Sequence, residues 1–162
     1  MPGTQLVHKH KVLPAYVGTP SSASLPWVSL KNYTHLTIRL IILNSTTVTG
    51  SAVGLVQATA IAGTGSKTLA FSKAWRMLDA AASDTLSEFT VSSDTFTTDS
   101  TNSKRMMYQI EIEAEQLDMD NDFDCVRLTL GNAVATTIAV EYVLSGASYG
   151  GHVSVLPSAI ID

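Results

Sequence analysis

The stretch 106–115, MMYQIEIEAE, alternates without a fault. Met106, Tyr108, Ile110, Ile112 and Ala114 fall on one face; Met107, Gln109, Glu111, Glu113 and Glu115 fall on the other. A period of two sustained over that length is the mark of a β-strand with one face in a core and one in water. Residues 33–43 repeat the pattern: Leu36, Ile38, Leu40 and Ile42 point one way, and His35, Thr37 and Arg39 the other, until Ile41 breaks the alternation. Two such strands commit the chain to a sheet whose apolar face needs a second layer.

The rest of the chain supplies one. Further strands are expected at 5–13, ended by Pro14, at 47–61, at 67–71 returning after the hairpin loop Gly63-Thr64-Gly65, and at 88–91 and 95–98 about the turn Ser92-Ser93-Asp94. Three more are expected at 125–130, 136–144 and 152–156. About eight strands at turn spacings of roughly eight to twelve residues predict an all-β, antiparallel β-sandwich of jelly-roll or immunoglobulin-like kind. At most one short helix is expected, near 73–82, where Trp75, Leu78 and Ala82 share a helical face and Ser72 is placed to cap it. Residues 1–26 form an N-terminal strand and an extended arm rich in Pro and Gly; residues 27–162 form the sandwich domain, with a C-terminal tail from about 146.

Composition narrows the function. At 162 residues, no disulfide staple is needed to bury a core, and the single Cys125 fits a reducing compartment. Only 15% of residues are charged, with Ser and Thr in their place, so the surface is easily desolvated and suits an assembly. The net charge is −4 and the ten Lys and Arg are scattered, which argues against nucleic acid. The most apolar run, 38–43, contains Arg39 and is too short to span a bilayer; residues 1–4 open without an apolar signal region. A soluble chain made in the cytoplasm is expected.

Each candidate for chemistry has a plainer account. The run Asp118-Met119-Asp120-Asn121-Asp122-Phe123-Asp124 could ligate calcium, but Phe123 and Thr129 stand where an EF-hand loop needs Gly and Glu, so a solvated acidic turn is expected. Gly63-Thr64-Gly65-Ser66-Lys67-Thr68 lacks the adjacent Gly-Lys of a phosphate loop. His8 and His10 would share a strand face, but nothing ties His35 or His152 to them as further zinc ligands. No nucleophile elbow surrounds any serine, Cys125 follows an acidic turn, and Glu111 and Glu113 lie on a solvent face. Trp27 and Trp75 are expected to be core or interface anchors. No catalytic, cofactor-binding or metal-ligating residue is assigned, no cofactor is expected, and the chain is not expected to be an enzyme.

Three segments carry a resemblance: Phe71-Ser72-Lys73-Ala74-Trp75-Arg76; Asp84-Thr85-Leu86 leading to Ser93-Asp94-Thr95-Phe96-Thr97; and Leu117-Asp118 with Asp122-Phe123-Asp124-Cys125-Val126-Arg127. In this order, closed by Pro157-Ser158-Ala159-Ile160, they resemble small virion structural proteins of tailed bacteriophages, over roughly residues 67–162. The resemblance implies a β-sandwich that decorates or cements a capsid shell, as a homodimer or homotrimer on the major capsid protein; the scattered charge and the lack of a spanning run add the expectation of no nucleic-acid and no membrane partner. It carries over no site residues. Alternatives are a tail or head-tail component, or a calcium-dependent carbohydrate-binding module resting on 118–124.

Overall fold

The alternation at 33–43 becomes one of the two longest strands of the large sheet, and the positions expected inside are inside: Leu36, Ile38, Leu40 and Ile42 are buried. The computed structural model describes residues 5–20, 25–149 and 156–161. Those residues form one α-helical turn, α1 (Leu6–Lys9), two 3-10 turns (Ala114–Gln116 and Met119–Asn121) and eleven strands. The strands are β1 (Lys11–Gly18), β2 (Val28–Ser29), β3 (Tyr33–Asn44), β4 (Ala52–Ala58), β5 (Lys67–Thr68), β6 (Lys73–Met77), β7 (Ser87–Thr90), β8 (Thr95–Thr97), β9 (Arg105–Glu113), β10 (Cys125–Leu130) and β11 (Thr136–Ala147). They make an antiparallel sandwich. A six-stranded sheet runs β1-β11-β3-β9-β6-β7, and a five-stranded sheet runs β2-β10-β4-β5, with β8 sharing the same edge of β4. Strands β2, β5 and β8 are only two or three residues long, which is why eleven strands appear where longer patterns suggest about eight.

The core lies between the sheets. Met106, Tyr108, Ile110 and Ile112 of β9 and Ile138, Val140, Tyr142 and Leu144 of β11 face Val53 and Leu55 of β4 and Val126, Leu128 and Leu130 of β10. Buried hydroxyls pin the layers: Tyr142 accepts a hydrogen bond from the Leu128 N–H at 3.0 Å, and burial pushes its hydroxyl up to about 12. The segment 156–161 is tied down as well, since Leu156 and Ala159 are buried and the Ser29 N–H donates to the Ala159 carbonyl at 2.8 Å.

Three local expectations are corrected. The helix at 73–82 is absent: Lys73–Met77 is strand β6, and 79–83 is a turn in which the Asp79 carboxylate takes the Ala81 N–H. Two or three helical turns have little stability of their own, and pairing with β9 and β7 overrides the Ala-rich propensity. The strand expected at 5–13 begins only at Lys11, after α1. Pro14 does not end it. Strand β1 is an outer strand paired only with β11, and its register shifts between Pro14 and Tyr16, so the missing N–H is tolerated at an edge bulge. The strand expected at 152–156 falls mostly outside the described residues.

Candidate functional site

Cross-strand register turns the outward residues of the six-stranded sheet into rows. One row reads Val17, Ala139, Ile41, Met107, Met77 across β1, β11, β3, β9 and β6. It is wholly apolar and about 19 Å long at the usual strand spacing. Val17, Ile41 and the neighbouring Leu43 are 74%, 52% and 53% exposed, and nothing among the described residues covers them. Monomeric proteins seldom leave a contiguous apolar strip open to water without a use for it.

The next row toward the other end is Pro14, Glu141, Arg39, Gln109, Trp75, Glu88, which crosses all six strands. Beyond it lie Val143, Thr37 and Glu111, then Ser145, His35 and Glu113. Here polar groups pair with each other. Arg39 Nη2 lies 2.7 Å from Glu141 Oε1; His35 Nε2 lies 2.8 Å from Glu111 Oε2 and 3.8 Å from Glu113 Oε1. Thr37 Oγ1 donates to Glu111 at 2.7 Å, and Gln109 Nε2 donates to its other oxygen. The short helix α1 roofs this end, so Val143 is buried although it points outward. Between roof and sheet is a cavity of about 340 Å³.

Ser145 Oγ, His35 Nδ1 at 3.2 Å, and Glu111 beyond the ring form the order hydroxyl, imidazole, carboxylate. Ser145 lies within β11, cross-strand from His35, and not on the sharp strand-to-helix turn that projects a nucleophile in hydrolases. The arrangement serves as a hydrogen-bond relay across three strands.

The candidates singled out in the sequence lie elsewhere. Asp118 leads into a 3-10 turn at Met119–Asn121, where its carboxylate pairs with Lys67 and takes the Asn121 amide at 2.9 Å. Those bonds, chiefly the one from Lys67, hold it below the usual carboxylate range. The calcium-loop reading therefore loses its first ligand to a lysine. The Gly63–Gly65 loop is a turn, and Lys67, over the Phe123 ring at 4.0 Å, belongs to the Asp118 cluster. Cys125 is buried with Trp27 and Ala58 and donates to Asp124 Oδ1 at 3.1 Å. His8 sits in α1, not on a strand, and His10 just beyond it; His10 and His35 line the same cavity, whereas His152 lies outside the described residues. Among the described residues no group of three or more His, Cys, Asp or Glu is arranged to hold a metal ion. The interruption at Ile41 was the one sequence sign of the exposed apolar row; Trp75 was hidden by its helical spacing.

No family model matches the chain, and no curated protein matches it. The fold is similar to the crystal structure of the SPBc2 prophage-derived protein YomS, with 9% sequence identity, a TM-score of 0.46, and coverage of 85% of this chain and 93% of that one.

Proposed function

We propose that this protein is a non-catalytic structural component of a bacteriophage particle, a decoration or cement protein held on the outside of the capsid shell by the apolar end of its six-stranded sheet. The observation that carries this reading is the uncovered row Val17, Ala139, Ile41, Met107 and Met77, with Leu43 beside it. The likeness of segments 71–76, 84–86 with 93–97, and 117–118 with 122–127 to small virion proteins supports the phage setting. Burial of this row against the major capsid protein gains about 25 cal/mol for each Å² removed from water. Repetition over a symmetric shell, or within a dimer or trimer, multiplies a modest contact into durable attachment.

The test uses shells stripped of this protein, incubated with the full chain or its Ile41→Glu/Leu43→Glu variant and then sedimented. The wild type should pellet with heads, and the variant should bind at least about thirtyfold more weakly, the effect of losing one interface hot spot. Equal pelleting of both proteins, or recovery with tails in place of heads, would overturn the assignment.

A further inference from the structure

The polar end of the same face carries a second site that does not depend on how the apolar end is used. Two buried polar atoms lack a protein partner there, Arg39 Nε and His10 Nδ1, and both residues line the cavity under α1. Buried polar groups are otherwise almost always bonded, so whatever occupies this cavity must satisfy them. Their chemistry narrows the occupant. Arg39 Nε–H only donates, so the ligand must accept, and a lysine- or arginine-like cation cannot. An anion would meet the Glu111 carboxylate in the lining, and the one guanidinium there is already engaged by Glu141. A neutral group with lone pairs remains.

The surroundings favour many hydroxyls over a single amide. Ser145, Thr37 and Gln109 line the cavity with further hydrogen-bonding groups. Trp75, half-buried, stands cross-strand from the lining residue Gln109, next to the cavity in the same row as Arg39. Such a ring offers an apolar surface with a polar rim. At about 340 Å³ the cavity lies at the small end of the ligand-pocket range, roughly 300–1,000 Å³. We propose that this end of the sheet binds a neutral carbohydrate. One sugar residue sits in the cavity, its hydroxyls bonded to Arg39 Nε and His10 Nδ1, and a neighbouring residue stacks on Trp75. No metal ion takes part, which separates this site from a calcium-dependent one at 118–124. On a particle, Arg39 would lie about 14 Å along β3 from Leu43, four residues at the usual rise, with the cavity running on from it toward His35.

The experiment probes an array of neutral hexose and N-acetylhexosamine oligosaccharides, with sialylated and sulfated ones and Asn- and Gln-rich peptides alongside, using the full chain with chelator present. The tightest neutral hit is then titrated by tryptophan fluorescence. Neutral glycans should be retained. Arg39→Lys, which keeps the charge beside Glu141 and removes Nε–H, should weaken binding about tenfold or more, the loss expected for one charged hydrogen bond. Trp75→Phe should weaken it less than Trp75→Ala, and the distant Leu43→Glu should leave it within about twofold. Melting temperatures establish that each variant is folded; should Trp75→Ala fail to fold, Arg39→Lys and Trp75→Phe decide the matter. Retention of only acidic glycans, of only the peptides, or of nothing would overturn the proposal, as would an Arg39→Lys variant that binds as the wild type does. Loss of shell attachment in Leu43→Glu with glycan binding intact would show the two sites failing separately.

Discussion

The two ends of one sheet face use the same strands for opposite chemistry. Along β3 the outward residues change from His35, Thr37 and Arg39 to Ile41 and Leu43, and register copies that change onto β9, where Glu111 and Gln109 give way to Met107, and onto β11, where Ser145 and Glu141 give way to Ala139. At the polar end nearly every group already has a partner, so covering it with a flat protein surface would strip water from ion pairs with little return. At the apolar end the row from Val17 to Met77 holds no polar side chain to strip, Arg105 and Thr137 standing only beside Leu43, and burial gains in proportion to area. A surface can thus be made adhesive at one end and selective at the other without changing the fold beneath it.

The contrast should be sharpest in stability. The apolar end stands on Asn44, which is 3% exposed; its amide donates to the carbonyls of Asp99 at 3.0 Å and Thr101 at 2.9 Å, and its oxygen accepts from Thr136 Oγ1 at 2.8 Å. Asn44→Ala leaves two carbonyls and a buried hydroxyl without their bonds, and should cost about 2–4 kcal/mol in urea unfolding. Glu111→Gln, at the polar end, loses only part of a surface network and should cost at most about 1 kcal/mol. If the two variants cost the same, the polar network is a structural brace and the contrast between the ends fails.

A smaller effect sits at the far end of β11, next to Ser145. Gly146 adopts φ +64° beside Ser145, and a Cβ there would lie 1.9 Å from Thr34 Oγ1. Gly146→Ala should cost about 1–3 kcal/mol through the left-handed backbone and the clash. Thr34→Ala in the same chain should recover part of that cost, since the two residues share one contact. A Gly146→Ala melting curve identical to the wild type would mean that the contact between residues 146 and 34 yields freely.

Much of the scaffold was legible because its long strands carry their own pattern. The alternation in β3 and β9 and the bounds of β10 are local facts of the chain, fixed by which residues can face a core. The pieces that misled were short or at an edge. Lys73–Met77 is a strand because β9 and β7 hold it, and Pro14 survives in β1 because one side of that strand is unpaired. The site was less legible for a related reason. His35, Arg39 and Glu111 could each be placed on an outward face, but only the pairing of β3 with β9 and β11 brings them together, and only the fold sets Leu6 of α1 beside them. Sequence spacing carries the composition of a row within one strand; it does not carry which strand lies beside it.

The smallest expected effect concerns the rim of the apolar end, where Asp79 pairs with Lys104 and its other bond caps the Ala81 N–H. These bonds, the one from Lys104 foremost, hold the Asp79 carboxyl below the usual carboxylate range. A carboxyl whose value is lower when folded contributes stability in full above the unfolded value, about 3.9, and loses it as pH falls through the folded one. Asp79→Asn keeps an oxygen for the Ala81 N–H and removes only the charge. Its melting temperature should therefore lie slightly below the wild type at pH 7, draw nearer in high salt, and become the same in acid below both values. A gap that persists in acid would mean that Asp79 acts through the geometry of the 79–83 turn, and the boundary of the apolar end would then be drawn by backbone shape and not by charge.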